Sequence, residues 1–268
     1  MRVAYGAFIV LDDVDLTVAE GEIVAVTGVN GVGKSTLLSC VAGLHRASAG
    51  TVTVLGSPPR DDAAFWRAVA LVADAPTWYP GLTVREHLEL VRLTHAPVRG
   101  WCLRADEVID AFGLASRADA MPLDLSSGQR QRLALAAALV RPSRLLLLDE
   151  PEQSLDAGFR LELARLLREG YAGNGGTVVM ATHDHEFVLA AGAREVRLSE
   201  GTIVADGTVD ADDADDPVDA DDADDADDAD DPVDTDDPDD PVDPVDADDP
   251  VDADDADDVV DAPPQVAG

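Results

Sequence analysis

The sequence predicts an α/β fold with a mainly parallel β-sheet, and three apolar runs are the evidence. Ile23–Val26, Leu145–Leu148 and Thr177–Ala181 are short, almost entirely apolar and free of charge. Strands covered by helices on both faces have this composition, because neither face meets water. Segments with helical spacing separate the runs, and strands that alternate with helices are typical of parallel sheets.

Charge divides the chain into two parts. The chain has 268 residues and a net charge of −36, and all 19 lysine and arginine residues precede Val209. Of its 55 acidic residues, 26 lie in 1–208 and 29 in 209–268, which gives net charges of −7 and −29. We expect one folded domain over 1–208, which is long enough for a sizeable core. Its mildly acidic balance argues against a nucleic-acid partner.

Residues 209–268 are predicted to be a disordered, aspartate-rich tail. They repeat D-A-D-D and D-P-V-D and contain no aromatic residue. Such a segment repels itself and buries too little surface to offset the entropy of ordering. A tolerated repeat expansion is the favoured interpretation, and a charged partner surface, a weak Ca²⁺ sponge and an electrostatic brush are the alternatives. Anionic lipid headgroups should repel the tail.

Neither the cysteines nor the hydropathy pattern indicates an exported or membrane-spanning protein. Cys40 and Cys102 are the only cysteines, and their isolation suggests neither a disulfide framework nor a metal site. The sequence has no apolar run of about 18 residues and no signal peptide. We therefore expect no direct insertion into a membrane.

Shorter elements complete the predicted fold. Ile9–Leu11 and the alternating segment Val14–Val18 predict a small antiparallel β piece, with a turn at Glu20–Gly21. A largely helical segment is predicted over about 75–140, where Thr83 and Glu86 form a capping box. Further strands are predicted at Thr51–Val54, Val69–Ala73, Val196–Leu198 and Thr202–Val204. Helices are predicted after Lys34, at Phe65–Ala68, Asp106–Phe112 and Arg130–Val140, and from Asp156 to about Arg168.

The segment Gly28–Thr36 carries the strongest motif. Its sequence G-V-N-G-V-G-K-S-T fits G-x-x-x-x-G-K-[ST], the phosphate-binding loop of nucleoside triphosphatases. Its glycines permit close backbone approaches, and its N–H groups then form an anion site at the start of a helix. Lys34 supplies a charge for the β- and γ-phosphates, and Ser35 a hydroxyl for Mg²⁺. The strand before the loop and the helix after it favour this interpretation over a chance glycine-rich turn.

Acids and a histidine follow the other apolar runs. Asp149 and Glu150 come directly after Leu145–Leu148, and His183 follows Thr177–Ala181. The carboxyl ends of parallel strands share one sheet edge, where the sites of α/β proteins lie. Glu150 is a candidate general base. His183 alone would be interpreted as structural, but within this set a functional role is favoured.

One further motif identifies the family that the chain resembles. Leu125–Gln129 reads L-S-S-G-Q and precedes the run L-L-L-L-D-E. With the phosphate loop and His183, it makes 1–208 resemble the ATP-binding-cassette (ABC) ATPases. The resemblance implies a phosphate-loop nucleoside triphosphatase core of mainly parallel sheet, with a small antiparallel piece and a helical subdomain inserted at about 75–140.

The resemblance also implies roles for the nucleotide-site residues, with ATP and Mg²⁺ as ligands. Tyr5 matches the aromatic residue that stacks on adenine. Asp149 and Ser35 would hold Mg²⁺, Glu150 would activate the attacking water, and His183 would contact the γ-phosphate. The implied catalytic residues are thus Lys34, Glu150 and His183. The implied phosphate contacts of the loop are Gly28, Asn30, Gly31, Gly33, Lys34, Ser35 and Thr36.

The family's site is shared between two subunits that face each other head to tail. Ser126, Gly128 and Gln129 match signature residues that close on the γ-phosphate of ATP held by the second subunit. Asp156 matches the loop acid at the dimer seam. The resemblance therefore implies a homodimer, or a pair with a second ABC ATPase.

The sequence departs from the family pattern at several positions. Asp74 stands where the family usually has glutamine; its carboxylate can still ligate Mg²⁺ but adds charge, so rate and coupling come into question. Ser127 replaces the commoner glycine of the signature, which is a mild change. The first strand is short by a few residues, which suggests that the natural start lies upstream. Trp78 and Tyr79 are either anchors for a cytoplasmic helix of a membrane subunit or ordinary loop packing.

The resemblance implies an ATP-binding and ATP-hydrolysing subunit that drives a separate transmembrane permease. Such a subunit is cytoplasmic and peripheral, held at the inner face of the cell membrane by the permease. The compact helical segment and short C-terminus favour export over import. The alternatives are a soluble cassette ATPase that works on ribosomes or DNA, and a weakly hydrolysing nucleotide switch, for which Asp74 is the motivation.

Overall fold

A computed structural model describes residues 1–73, 77–95 and 103–208 of the protein. The strands are β1 (Val3–Tyr5), β2 (Phe8–Leu11), β3 (Ile23–Thr27), β4 (Val69–Val72), β5 (Leu145–Asp149), β6 (Thr177–Ala181), β7 (Arg194–Ser199) and β8 (Thr202–Thr208). The α-helices are α1 (Lys34–Val41), α2 (Ala63–Ala68), α3 (Val84–His95), α4 (Ala105–Ala111), α5 (Ser127–Leu139), α6 (Ala157–Arg165) and α7 (His185–Ala191). Asp74, Cys102 and the predicted tail 209–268 lie outside the described residues.

Six strands form the central sheet in the order β4-β5-β6-β3-β7-β8. The first five of these are parallel to their neighbours, and β8 closes the edge as an antiparallel partner of β7. β1 and β2 form a separate antiparallel pair. The predicted α/β class, with a mainly parallel sheet and a small antiparallel piece, is confirmed.

The central strands are buried on both faces because their side chains alternate between two apolar clusters. In β5, Leu146 and Leu148 join one cluster and Leu145 and Leu147 join the other. The first cluster includes buried residues of α3 to α7, and the second includes buried residues of α1, β1 and β2. Continuous leucine in the sequence therefore reflects a strand that lies between two layers.

The helices begin and end largely where local chemistry predicts. Before α3, the Thr83 N–H donates to Glu86 Oε2 at 2.9 Å and the Glu86 N–H to Thr83 Oγ1 at 3.3 Å, which confirms the capping box. α5 begins at Ser127 rather than at Arg130, because Ser126 caps it. α6 continues as a π-helix over Leu166–Tyr171.

Two predicted strands are wrong, and the strand β1, which pairs with β2 in place of Val14–Val18, and the helix α7 were missed. Val14–Val18 and Thr51–Val54 are not strands; Val54 forms only an isolated bridge with Ser57. Val14 is buried and exchanges backbone hydrogen bonds with Met1, so the alternation reflects packing of an extended segment without a ladder. α7 was not predicted, although Asp184 caps its start by accepting from the Phe187 N–H.

The strand register brings the predicted site residues to one edge. Val26 of β3 pairs with Ala181 of β6, and Ala181 pairs with Asp149 of β5. The next residue of each strand therefore emerges beside its neighbours, and the Glu150 N–H donates to the Ala181 carbonyl at 2.9 Å. The carboxyl edge of the sheet thus gathers groups from three separate parts of the sequence.

Candidate active site

The phosphate loop lies between β3 and α1, as predicted. Gly28, Gly31 and Gly33 have φ values of 140°, 81° and 112°, which L side chains rarely adopt. A Cβ on Gly28 would lie 2.5 Å from the Leu198 carbonyl oxygen, and one on Gly33 2.7 Å from Leu11 Cδ2. A Cβ on Gly31 would meet no atom within 4 Å. At Gly28 the backbone of β7 leaves no room for a Cβ, and at Gly33 the Leu11 side chain leaves none. Gly31 is favoured only by its backbone conformation.

Lys34 is held at the loop by its own backbone. Its side chain is only 5% exposed, and its ammonium donates to the carbonyls of Gly28 at 2.7 Å and Val29 at 3.2 Å. An ammonium has three N–H donors. Two point into the loop, which leaves one to meet an anion in its cradle. Within the loop, Asn30 is exposed and Thr36 is half-buried.

Ser35 and Asp149 join the loop to the acid strand. Ser35 Oγ donates to Asp149 Oδ1 at 3.0 Å, across 114 residues of sequence. A hydroxyl and a carboxylate are hard oxygen donors, and Mg²⁺ is usually bound by one or two such groups together with phosphate and water. In the described part of the chain, no three His, Cys, Asp or Glu side chains converge as a metal site. The donor set fits Mg²⁺ bound jointly with a nucleotide, and not a closed protein cage.

Glu150 directly follows β5 in a conformation that non-glycine residues rarely adopt. Its φ is 45°, and such outliers cluster at functional sites. The carboxylate is 20% exposed and accepts a hydrogen bond from Gln153 Nε2. His183 Nδ1 lies 3.8 Å from Glu150 Oε1, so the predicted acid and histidine do come together.

A second glutamate, missed by sequence reasoning, lies beside this pair. Glu152 is 5% exposed, accepts a hydrogen bond from Thr182 Oγ1, and places Oε1 at 3.9 Å from His183 Nδ1. Burial raises the pKa of the Glu152 carboxyl, against the lowering effect of the Thr182 hydrogen bond. In the sequence, Glu152 is simply a third acid after the leucine run. No pattern distinguishes it from a solvent-exposed loop residue.

The signature residues form the start of α5. The Gln129 N–H donates to Ser126 Oγ at 3.3 Å, and the Ser126 N–H donates to Gln129 Oε1 at 3.0 Å. A Cβ on Gly128 would lie 2.6 Å from the Ser154 carbonyl oxygen. Gly128 is therefore required for contact between α5 and the loop after β5. Among the described residues, no hydrogen bond or ion pair links this helix start to the phosphate loop.

Asp156 caps α6 and is engaged by contacts within its own chain. It accepts the Phe159 N–H at 3.0 Å and pairs with the Arg132 guanidinium, which lies 4.1 Å over the Phe159 ring. These hydrogen bonds and the arginine hold the pKa of the Asp156 carboxyl below its usual range. Arg132 is a second residue that the sequence did not indicate.

Tyr5 lies at the end of β1 with about half of its surface exposed. Its ring centroid is 4.8 Å from that of His45, and its hydroxyl is 3.5 Å from His45 Nδ1. Sequence reasoning did not indicate His45, because the contact joins segments 40 residues apart.

A groove lies beside β4 and the helical segment. Its volume is about 480 Å³, and its lining combines apolar residues with Thr77, Trp78, Tyr79, His87, His95 and Arg141. Trp78 packs against the core, while Tyr79 is 54% exposed; both rings contact His87. Burial lowers the pKa of His87 and lowers that of Arg141 to about 10.

A glycine cradle after a central parallel strand, beside an acid pair on a nearby strand, defines a phosphate-loop nucleoside triphosphatase. The family model for the ABC transporter matches residues 11–153. An aliphatic sulfonates import ATP-binding protein of Pseudomonas syringae pv. syringae (strain B728a) is 39% identical over 210 residues, covering 78% of this chain and 75% of that protein. The chain therefore belongs to the ABC transporter family as an ATP-binding subunit, and it is an ATP hydrolase.

Further similarities agree. A protein of the same name from Mycobacterium sp. (strain MCS) is 41% identical over 210 residues, covering 78% of this chain and 82% of that protein. A solved ATP-binding subunit of an ABC transporter matches with a TM-score of 0.68 and 28% identity, over 78% of this chain and 87% of that one. A dimeric, post-hydrolysis cassette bound to ADP and Pi matches with a TM-score of 0.67 and 28% identity, over 77% of this chain and 94% of that one.

These similarities bear on direction and on membrane association. Both relatives are import proteins by name, which speaks against the expectation of export. That expectation was drawn from the helical segment and C-terminus of the ATPase, whereas direction is a property of the membrane partner.

Across the described ranges, none of the helices has the length and apolar character needed to cross a bilayer.

Proposed function

We propose that the chain powers an ABC importer, hydrolysing MgATP between two subunits that move a separate permease. The observation that carries this proposal is the convergence of Lys34, the Ser35–Asp149 pair and Glu150 at one sheet edge. Phosphoryl transfer needs positioning and charge neutralisation more than covalent chemistry, and this edge offers both. Import is taken from the names of the relatives, whose aliphatic sulfonates are the first cargo class to test.

The loop binds the triphosphate. Its backbone N–H groups and the start of α1 surround the phosphates, and Lys34 donates to the β- and γ-phosphates. Gly28, Gly31 and Gly33 keep the cradle open. Asn30 and Thr36 complete the loop's contacts, and Tyr5 stacks on the adenine ring.

Ser35 and Asp149 would hold Mg²⁺ together with the nucleotide, and Asp74, which lies outside the described residues, would be a further ligand. The ion would neutralise phosphate charge. Glu150 accepts a proton from the attacking water, and the Gln153 amide that donates to its carboxylate holds the carboxylate in place. His183, more than half exposed, donates to the γ-phosphate.

The site is completed by a second subunit. Ser126, Gly128 and Gln129 of one copy close on the triphosphate bound by the other, with Asp156 at the seam. Support comes from the exposed start of α5 and from a solved relative that is a dimer bound to ADP and Pi. The partner is a second copy of this chain or another ABC ATPase.

The groove beside Trp78 and Tyr79 receives the permease and holds the protein at the cytoplasmic face of the membrane. Exposed Tyr79 is the anchor, and core-packed Trp78 supports the wall. Tyr79→Ala should reduce co-purification of the permease while leaving ATP turnover of the isolated subunit unchanged. Unchanged co-purification would exclude Tyr79 as the anchor.

Steady-state hydrolysis of ATP by purified full-length protein tests the proposal. Lys34→Ala should lower kcat by roughly 100-fold, since it removes a transition-state charge. Glu150→Gln should lower it by about 100-fold or more through loss of the base, while ATP binding persists. Glu162→Gln is the matched control, because that side chain is 68% exposed on α6 and should leave turnover unchanged.

Sedimentation with ATP supplies the second measurement. Glu150→Gln should trap a dimer, because closure no longer ends in hydrolysis. If the parent binds ATP tightly but does not hydrolyse it, the interpretation as a nucleotide switch would replace that as an importer ATPase. Monomers at saturating ATP would contradict the shared site.

A further inference from the structure

Glu152 is a buried acid that the nucleotide-site roles do not use. Its side chain is only 5% exposed, and Oε2 has no hydrogen-bond partner among the described residues. Buried polar atoms in folded proteins are nearly always paired, so a buried carboxyl with one unpaired oxygen is poorly placed to carry a full charge. The unpaired oxygen belongs to a carboxyl whose other oxygen faces the His183 ring.

The surroundings of Glu152 fix its position but do not neutralise it. Thr182 Oγ1 donates to Oε1 and in turn accepts the Asp184 N–H at 3.0 Å. Asp184 is paired with Arg160 of α6 at 2.7 Å, so that arginine is already engaged. His183 Nδ1, at 3.9 Å, is the basic group that remains beside Glu152.

We propose that Glu152 is a positioning residue that shares a proton with His183 Nδ1 and thereby keeps a proton on His183 Nε2. This inference rests on the proposed function, in which His183 donates to the γ-phosphate. Hydrogen bonds at catalytic sites tighten when substrate binds, and the exposed His183 ring has room to close the 3.9 Å gap.

The proton count explains why a carboxyl suits this position. The proposed pair holds two protons, one on Nε2 and one shared between the Glu152 carboxyl and Nδ1. With the shared proton on Nδ1, both ring nitrogens carry protons. A pair with one proton fewer would place the ring proton on Nδ1, facing the carboxylate, and would contradict the proposal. If the shared proton moves to Glu152, its O–H donates to Nδ1 and the neutral ring keeps its proton on Nε2. The two arrangements hold the same number of protons, and both present an N–H donor. An apolar residue at 152 would leave the neutral ring free to carry its proton on Nδ1.

Glu150 competes for the same nitrogen. Its Oε1 lies 3.8 Å from His183 Nδ1, on the more exposed side. If Glu152 takes this nitrogen, the Glu150 carboxylate is left to accept a proton from water. Glu152 is the more buried of the two, 5% exposed against 20% for Glu150, and is therefore the better proton-sharing partner.

Two substitutions separate positioning from structure. Glu152→Leu removes the proton-sharing group, and Glu152→Gln keeps an N–H that can donate to Nδ1. We expect Glu152→Leu to lower kcat about tenfold, the equivalent of one hydrogen bond in the transition state, with little change in the KM for ATP. Glu152→Gln should stay close to the parent. Glu162→Leu, an exposed change on α6, is the matched control.

NMR of ¹⁵N-histidine-labelled full-length protein gives a readout that does not depend on turnover. His183→Gln assigns the signal among the five histidines. The parent and Glu152→Gln should show a proton on Nε2, and Glu152→Leu should show a mixture of tautomers. An unchanged His183 signal in a folded Glu152→Leu protein would overturn the proposal, as would equal losses of kcat in both variants.

Failure here is distinguishable from failure of the proposed function. If the parent does not hydrolyse ATP, or if Lys34→Ala does not change its turnover, the proposed ATPase mechanism is wrong. The NMR measurement of the His183 tautomer still tests the role of Glu152. If the parent is active but its His183 signal is the same in the Glu152 variants, only the proton-sharing role of Glu152 is wrong.

Discussion

Replacing Gly28 with alanine should destabilise the folded domain more than the same change at Gly31. Both residues have positive φ, so alanine is strained at each, on the order of 1–3 kcal/mol. Only at Gly28 does the new Cβ meet backbone, at 2.5 Å from the Leu198 carbonyl oxygen. That oxygen belongs to β7, which pairs with both β3 and β8 and cannot shift freely.

The contact at Gly28 should cost about 1–3 kcal/mol beyond the shared strain, as overpacking does in protein cores. Urea unfolding of both variants without nucleotide, followed by circular dichroism, measures the difference. In a domain of this size each 1 kcal/mol also lowers Tm by about 2–4 °C. If Gly28→Ala were as stable as Gly31→Ala, the close approach of the loop to β7 would be wrong.

Two further predictions concern the core and the sheet. Tyr171→Phe should lower the free energy of unfolding by about 1 kcal/mol, because the buried Ser143 hydroxyl loses its 2.9 Å partner. Glu22→Gln should destabilise at neutral pH but not in acid, because Arg194 holds the pKa of Glu22 below its ordinary value of 4.5. A lowered folded-state pKa gives stability that is present above the unfolded value and is lost as the pH falls through the folded one.

Each change has a matched control. Tyr79→Phe alters an exposed tyrosine and should leave unfolding unchanged. Glu20→Gln alters an acid that is 73% exposed and should have little effect at any pH. A pH-independent gap between the parent and Glu22→Gln would contradict the ion-pair explanation, and equal effects in the two tyrosine variants would contradict the buried hydrogen bond.

The parallel core was predictable because its signals are local. Leu145–Leu148 has few interpretations other than a strand between two layers, and the phosphate loop is defined by spacing alone. Val14–Val18 failed for a physical reason: alternation reports which side chains are buried, whereas strand pairing depends on a distant backbone. Here Val14 bonds to the backbone of Met1 without forming a strand ladder, and the alternation could not indicate that outcome.

Long-range contacts limited the prediction of the site. Ser35 and Asp149 were each identified, because motif and strand-end position mark them separately. Glu152 and Thr182 belong to different loops, and the sequence of neither loop predicts the buried hydrogen bond between them. The capping role of Ser126 was likewise hidden, although the pattern Ser-x-x-Gln that creates it is present in the signature.

The shared register of Val26, Ala181 and Asp149 has a consequence for how such a chain can change over time. Inserting one residue within β6 would turn every side chain after it to the opposite side of the sheet. His183 would turn away from Glu150, and the valines and methionine of β6 beyond the insertion would face the wrong layer. Variation that adjusts turnover must therefore accumulate in the connecting loops, while strand lengths stay fixed.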